Sequence, residues 1–261
     1  MLRLPSLHLA GRRQASTETV ELAIPFALLG LAAAGWWWSV QMADEMTAGD
    51  MDRMGMHGVM SFGSFALAWA AMMAAMMLPA VLPVVKLYAR AAAHGRAAPV
   101  PFFVAEYLGL WAAMALPGYL AWRALRTPLA QGDDWVGRVA GSSLIAAALW
   151  QLTPLKAVCL RHCRSPMGFF MRFGGGVTRP SGALRMGLAH GLFCLGCCWA
   201  LFAVLVAVGT MNLLWMAVLA GLIVLEKNAS QGEWVARAAA LAFMVLGTVL
   251  LIQPSMLAHV T

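Results

Sequence analysis

The chain has 261 residues, a formal net charge of +7 and a mean hydropathy of +0.76, with 62% of its residues hydrophobic and 11% charged. A soluble domain carries about 25% charged residues, so this composition excludes an ordinary soluble globular domain. The basic excess reads as charge gathered in cytoplasmic loops rather than as a nucleic-acid surface, and no nucleic-acid partner is expected.

The apolar runs are continuous and about 20 residues long, the length of a helix that crosses hydrocarbon. A barrel would instead alternate polar and apolar residues over about 10 positions. The expected fold is therefore all-α, a polytopic transmembrane helix bundle of about seven spans, or six if the first is cleaved. The chain then divides into a cytoplasmic amino-terminal segment (1–21), a transmembrane helical domain (22–252) and an outer tail (253–261). The lipid bilayer is the first partner this implies. The expected location is the bacterial inner (cytoplasmic) membrane.

The first span is expected over Leu22–Gln41. Arg12-Arg13 before it and Ala32-Ala33-Ala34 within it also fit a signal peptide, whereas Trp36-Trp37-Trp38 fit a retained anchor at the membrane interface. A Met-rich outer loop follows at 42–60, with Met51, Met54, Met56 and His57 among four acids. Thioethers in a polar loop suit weak capture of copper on an oxidising side; the alternative is an interfacial helix that buries them. The second span is expected over Phe62–Leu87, with Pro79 and Pro83 bending it. It carries Met72, Met73, Met76 and Met77, either core filler or a thioether ladder suited to Cu(I).

The third and fourth spans are expected over Phe102–Trp122 and Val139–Val158. Cys159 and Cys163 follow at i, i+4 spacing beside Lys156, Arg161 and Arg164, at the start of a cytoplasmic loop (159–182). Neighbouring cations favour thiolates, so this pair is expected to stand at the aqueous edge as an exit site. Gly174-Gly175-Gly176 in the same loop reads as a hinge.

The fifth span, Ala183–Val208, contains His190, Cys194, Cys197 and Cys198. The i, i+4, i+7 spacing puts His190, Cys194 and Cys197 on one helix face, and Cys198 joins it. Cys194 lies about 16 Å from the start of the span, near the midplane. Hydrocarbon offers a soft donor no partner; thiols and an imidazole there suit copper(I), with zinc as the second candidate. The plain alternative is that free Cys packs as a small hydrophobe. The sixth span, Leu213–Leu225, follows a tight turn at Gly209 and Asn212 and ends on Glu226-Lys227, read as a structural ion pair at the cytoplasmic edge. The seventh is Val235–Ile252.

With the amino terminus inside, only Arg53, Arg123, Arg126 and Arg138 of the basic residues fall outside, which is the asymmetry that orients bundles. All five cysteines lie in or beside helices, against a disulfide scaffold. No Ser/His/Asp or HExxH signature occurs and the expectation is a non-enzyme.

Three groups of motifs resemble a bacterial family of uncharacterised, predicted metal-binding integral membrane proteins. They are Trp69-Ala-Ala-Met-Met-Ala-Ala-Met-Met-Leu-Pro79; Gln151-Leu-Thr-Pro-Leu-Lys156 with Cys159-Leu-Arg-His-Cys163-Arg-Ser-Pro166; and Gly187-Leu-Ala-His-Gly191 with Cys194-Leu-Gly-Cys-Cys-Trp199. Glu226-Lys227 matches too, and the resemblance covers roughly residues 60 to 250. It implies metal binding without naming a reaction. The leading expectation is copper(I) handling, with a metallochaperone or acceptor metalloprotein as protein partner. A membrane thiol–disulfide oxidoreductase and a non-catalytic assembly or scaffold factor are the alternatives.

Overall fold

The computed structural model describes residues 23–43, 60–131, 133–209 and 212–257. Within them every regular element is helical, and the order is α1 (Ala23–Ala43), α2 (Phe62–Ala93), α3 (Val100–Ala113), α4 (Ala115–Gln131), α5 (Asp134–Gln151), α6 (Pro154–Arg164), α7 (Pro166–Phe173), α8 (Pro180–Val208), α9 (Leu213–Asn228) and α10 (Gly232–Ile252). A 3-10 turn over Pro254–Met256 ends the described chain. The outer Met loop ligands Met51, Met54, Met56 and His57 lie outside the described residues.

Five stretches are long and apolar enough to cross a membrane: α1, α2, α3 with α4, α8 and α10. The expected fourth span departs from a straight rod. It is α5 followed by α6, bent by 68° between them. Thr153 and Pro154 cause the break: proline pushes the residue before it out of the helical region, and Thr153 sits at φ −73°, ψ 146°. Its side chain accepts from the Lys156 amide at 3.2 Å, capping a new helix. Ser165-Pro166 breaks the chain again between α6 and α7, here without a side-chain cap. The expected sixth span is α9, a helix of 16 residues capped by the Asn212 side chain, which accepts from the Trp215 amide at 3.0 Å.

Small residues set how closely the helices meet. A methyl group added to Gly187 of α8 would stand 2.5 Å from the Phe103 carbonyl oxygen of α3. Gly191, one turn on, faces Leu110. This Gly-x-x-x-Gly stripe lets the two backbones touch, as small residues do between helices in lipid. Gly141 of α5 and Gly247 of α10 do the same for each other: a methyl on either would stand 2.8 Å from the other's carbonyl oxygen. The core is thus α8 flanked by α3, α5 and α6, with α2 packed across α3, α4 and α9, and α7 set against α2 and α6.

Candidate metal centre

His190, Cys194, Cys197 and Cys198 all face the interior of α8 and are buried. The i, i+4, i+7 spacing does place them on one side. Cys194 stands at the centre of the contacts. Tyr107 Oη of α3 lies 3.1 Å from its sulfur. Met77 Sδ of α2 lies 3.9 Å away. Lys227 Nζ of α9 donates to it at 2.8 Å. Cys197 Sγ donates to the Cys194 carbonyl at 3.1 Å and lies 3.3 Å from Cys198 Sγ.

The fourth thiol comes from another helix. Cys163 of α6 is buried and its thiol lies near those of Cys194 and Cys197. This corrects the expected aqueous-edge pair. Cys163 belongs to the inner thiols, whereas Cys159 is half-buried beside Gly196, where a methyl group would stand 2.8 Å from its sulfur. The cause is the bend at Thr153-Pro154. It swings α6 under α8 and turns the Cys163 side of α6 inward.

Of the expected thioether ladder, Met77 is the residue whose sulfur reaches Cys194. Met72 instead lines a small pocket with Trp38, Ser39, Met42, Leu213 and Met216, between α1, α2 and α9. Met73 and Met76 are buried in the core. Successive residues on a helix point 100° apart, so one of four consecutive-pair methionines reaches the thiols.

His190 is 2% exposed and its Nδ1 has no partner among the described residues. Phe103, Tyr107 and Phe169 surround the ring, Phe169 edge-on at 4.9 Å. A buried polar atom without a partner is rare in proteins. Tyr107 touches both the His190 ring and the Cys194 sulfur, and so joins the imidazole to the thiols.

Glu226 and Lys227 are not paired with one another. Glu226 Oε2 accepts from Lys156 Nζ at 2.7 Å, and Glu226 Oε1 accepts from Gln151 Nε2 at 2.7 Å. Lys227 is left for Cys194. Adjacent helix residues do not share a face, so the dipeptide serves two networks. The sequence signal for Lys227 was present: an ionisable residue on an apolar helix marks a functional site by default. Tyr107 gave no such signal.

Chemically, the arrangement is a buried set of soft donors with a built-in cation. Among the described residues no three His, Cys, Asp or Glu side chains already stand in a metal-holding geometry. The thiols are instead drawn together: 3.3 Å between Cys197 and Cys198 is shorter than the roughly 4 Å between sulfurs that share an ion at about 2.3 Å. Lys227 fills the neighbouring cation position. Donor softness fits copper(I) or zinc and does not fit magnesium or calcium.

A family model described as PpoB2, copper chaperone, matches residues 66–250, more than half of the chain. The match spans every thiol of this centre as well as Met77, Tyr107, His190 and Lys227. No curated protein and no solved structure matches the chain.

Proposed function

This chain belongs to the copper chaperone family, and from that premise we propose that it is an integral membrane protein that carries copper(I) on buried thiols. The observation that carries the proposal is the convergence of Cys163, Cys194, Cys197 and Cys198, from two helices, beside the Met77 thioether. Thiolate and thioether are the donors that select copper(I). Stretches long and apolar enough to cross a membrane surround the centre, which supports membrane insertion.

Charge supports the assignment. A buried thiolate needs a cation within reach. The Lys227 ammonium supplies one to Cys194 at 2.8 Å. Copper(I) held by two thiolates carries a net charge of −1, and Lys227 brings the sum to zero. Lys227 is therefore the counter-cation that keeps the loaded centre neutral. Tyr107 and His190 line the same space and would orient donors or supply a nitrogen ligand.

The wider route is part of the same proposal. The chain sits in a bacterial inner membrane with its amino terminus cytoplasmic. Met51, Met54, Met56 and His57 collect copper outside, and an acceptor metalloprotein or metallochaperone exchanges it at the α6 side. Elemental analysis of the detergent-purified protein tests the core claim. The expected result is stoichiometric copper in the wild type and loss of the equivalent held by these inner thiols in Cys194→Ser/Cys197→Ser, because Ser is a hard donor. Equal metal in both proteins would leave packing as the account of these thiols; zinc in place of copper would overturn the metal assignment.

A further inference from the structure

The bend that takes Cys163 inward leaves Cys159 with a different neighbour. Cys159 and His162 are three residues apart on α6, the spacing of same-face neighbours about 5–6 Å apart at Cβ. Both are half-buried. Both lie on the same stripe of α8: Cys159 over Gly196, and His162 stacked on Phe193 at 4.2 Å and 6°. Gly196 and Phe193 are themselves three residues apart, so the two stripes run side by side.

The imidazole is held in one tautomer. His162 Nδ1 lies 2.9 Å from the Val158 carbonyl oxygen. A carbonyl only accepts, so Nδ1 carries the hydrogen and Nε2 keeps its lone pair. Metal-binding histidines are fixed by this same backbone contact. A thiol and an imidazole nitrogen with a free lone pair thus share one half-buried edge, next in sequence to an inner thiol.

We propose that Cys159 and His162 form a second copper(I) site, through which the ion passes between the inner thiols and a soluble acceptor. The proposal rests on the copper reading given above. Two donors satisfy copper(I), which accepts linear coordination, whereas zinc needs four ligands; the site therefore favours copper by ligand number as well as softness. Bonds of about 2.3 Å to sulfur and about 2.0 Å to nitrogen place the two donors roughly 4.3 Å apart across a linear ion, within reach of an i, i+3 pair. Passage inward is ligand exchange at constant oxidation state. Cys163 forms a copper–sulfur bond, the copper–His162 bond breaks, and the thiol proton of Cys163 goes to the vacated Nε2; an inner thiolate, Cys194, then replaces Cys159, whose released sulfur takes that proton from His162. No reductant or oxidant is consumed.

The test is anaerobic copper(I) titration of the full-length protein in detergent, followed by withdrawal with a chromogenic copper(I) chelator. His162→Phe keeps the stack on Phe193 and lacks the nitrogen; Cys159→Ser keeps the shape and lacks the soft donor. Each is expected to lose one copper equivalent and keep the inner one. Each should also slow withdrawal about tenfold or more, the scale on which metal sites respond to losing even a supporting partner. Cys194→Ser/Cys197→Ser should show the converse, an outer equivalent without an inner one. Wild-type stoichiometry and withdrawal rates in both α6 variants would overturn this site and leave the inner centre standing. A wild type that binds no copper(I) would overturn the copper reading, and this inference with it.

Discussion

Replacing Lys227 by Met separates a copper centre from a packed core. Lys227 Nζ lies 2.8 Å from the Cys194 sulfur and both are buried. With an effective dielectric constant of about 20, unit charges at that distance attract by about 6 kcal/mol. The empty variant avoids that loss by keeping Cys194 as a neutral thiol. Copper(I) must then expel a proton that an ordinary thiol, of pKa about 8.5, holds by about 2 kcal/mol at pH 7. These figures bound the loss of copper affinity between roughly 30-fold and roughly 25,000-fold. Stability should move the other way or not at all, because an apolar side chain of similar length in place of a buried charge is often neutral or stabilising. Competition with a copper(I) chelator gives the affinity, and thermal unfolding in detergent gives the stability. Affinity within threefold of wild type would refute Lys227 as the centre's counter-cation. A fall in stability with no fall in affinity would make it a structural residue.

Other perturbations give equally definite outcomes. Glu226→Gln keeps the hydrogen bond from Gln151 but strands the Lys156 ammonium, and should destabilise the protein by about 3–5 kcal/mol in thermal unfolding; adding Lys156→Met should recover most of that. Met77→Leu should cost under about 1.5 kcal/mol of stability and lower copper(I) affinity by chelator competition, whereas Met72→Leu, which faces α1 and α9, should not change it. A reporter fused after Val260 should register outside; a cytoplasmic signal would overturn the orientation and capture from outside with it.

Parts of this centre were legible in sequence and parts were not. The α8 stripe followed from helix arithmetic alone, since His190, Cys194 and Cys197 lie within one face whatever packs against it. The partners of that face are a tertiary matter. Met77, rather than Met72 or Met76, depends on the rotation of α2 about its axis, which four near-identical side chains do not encode. Cys163 was placed with Cys159 at the aqueous edge because a straight fourth span puts it there, whereas it is buried. The correcting signal was local: Thr153-Pro154 is a cap followed by a residue that opens a helix, and read as a break it would have detached α6. Glu226-Lys227 was read as a pair because opposite charges stood adjacent, although adjacency on a helix separates side chains by 100°. Tyr107 is a single hydroxyl on an apolar helix and only its 3.1 Å contact to Cys194 identifies it.

The proposed copper(I) carriage requires release as well as binding, and the donor count bears on how. Copper(I) is satisfied by two or three soft ligands, yet four thiols and a thioether meet here. An excess of equivalent donors lets a departing bond be replaced before it breaks, so the proposed exchange would pass through a three-coordinate step rather than a bare ion in a low-dielectric interior. Thiols already 3.3 Å apart provide that replacement on the inner side. The two-helix origin of the set provides the rest: Cys194, Cys197 and Cys198 ride on α8, locked to α3 by the Gly187 and Gly191 stripe, while Cys163 rides on α6, a short helix set off by a 68° break. A rigid helix that holds three thiols and a detached one that carries the fourth place binding on one element and transfer on the other. Straightening the break should therefore separate the two. Pro154→Ala with Thr153→Ala removes both the cap and the residue that opens α6, and is expected to leave copper on the α8 thiols while slowing its withdrawal by a chelator. Loss of copper binding itself in that variant would show that the fourth thiol is needed to hold the ion and is not a means of passing it on.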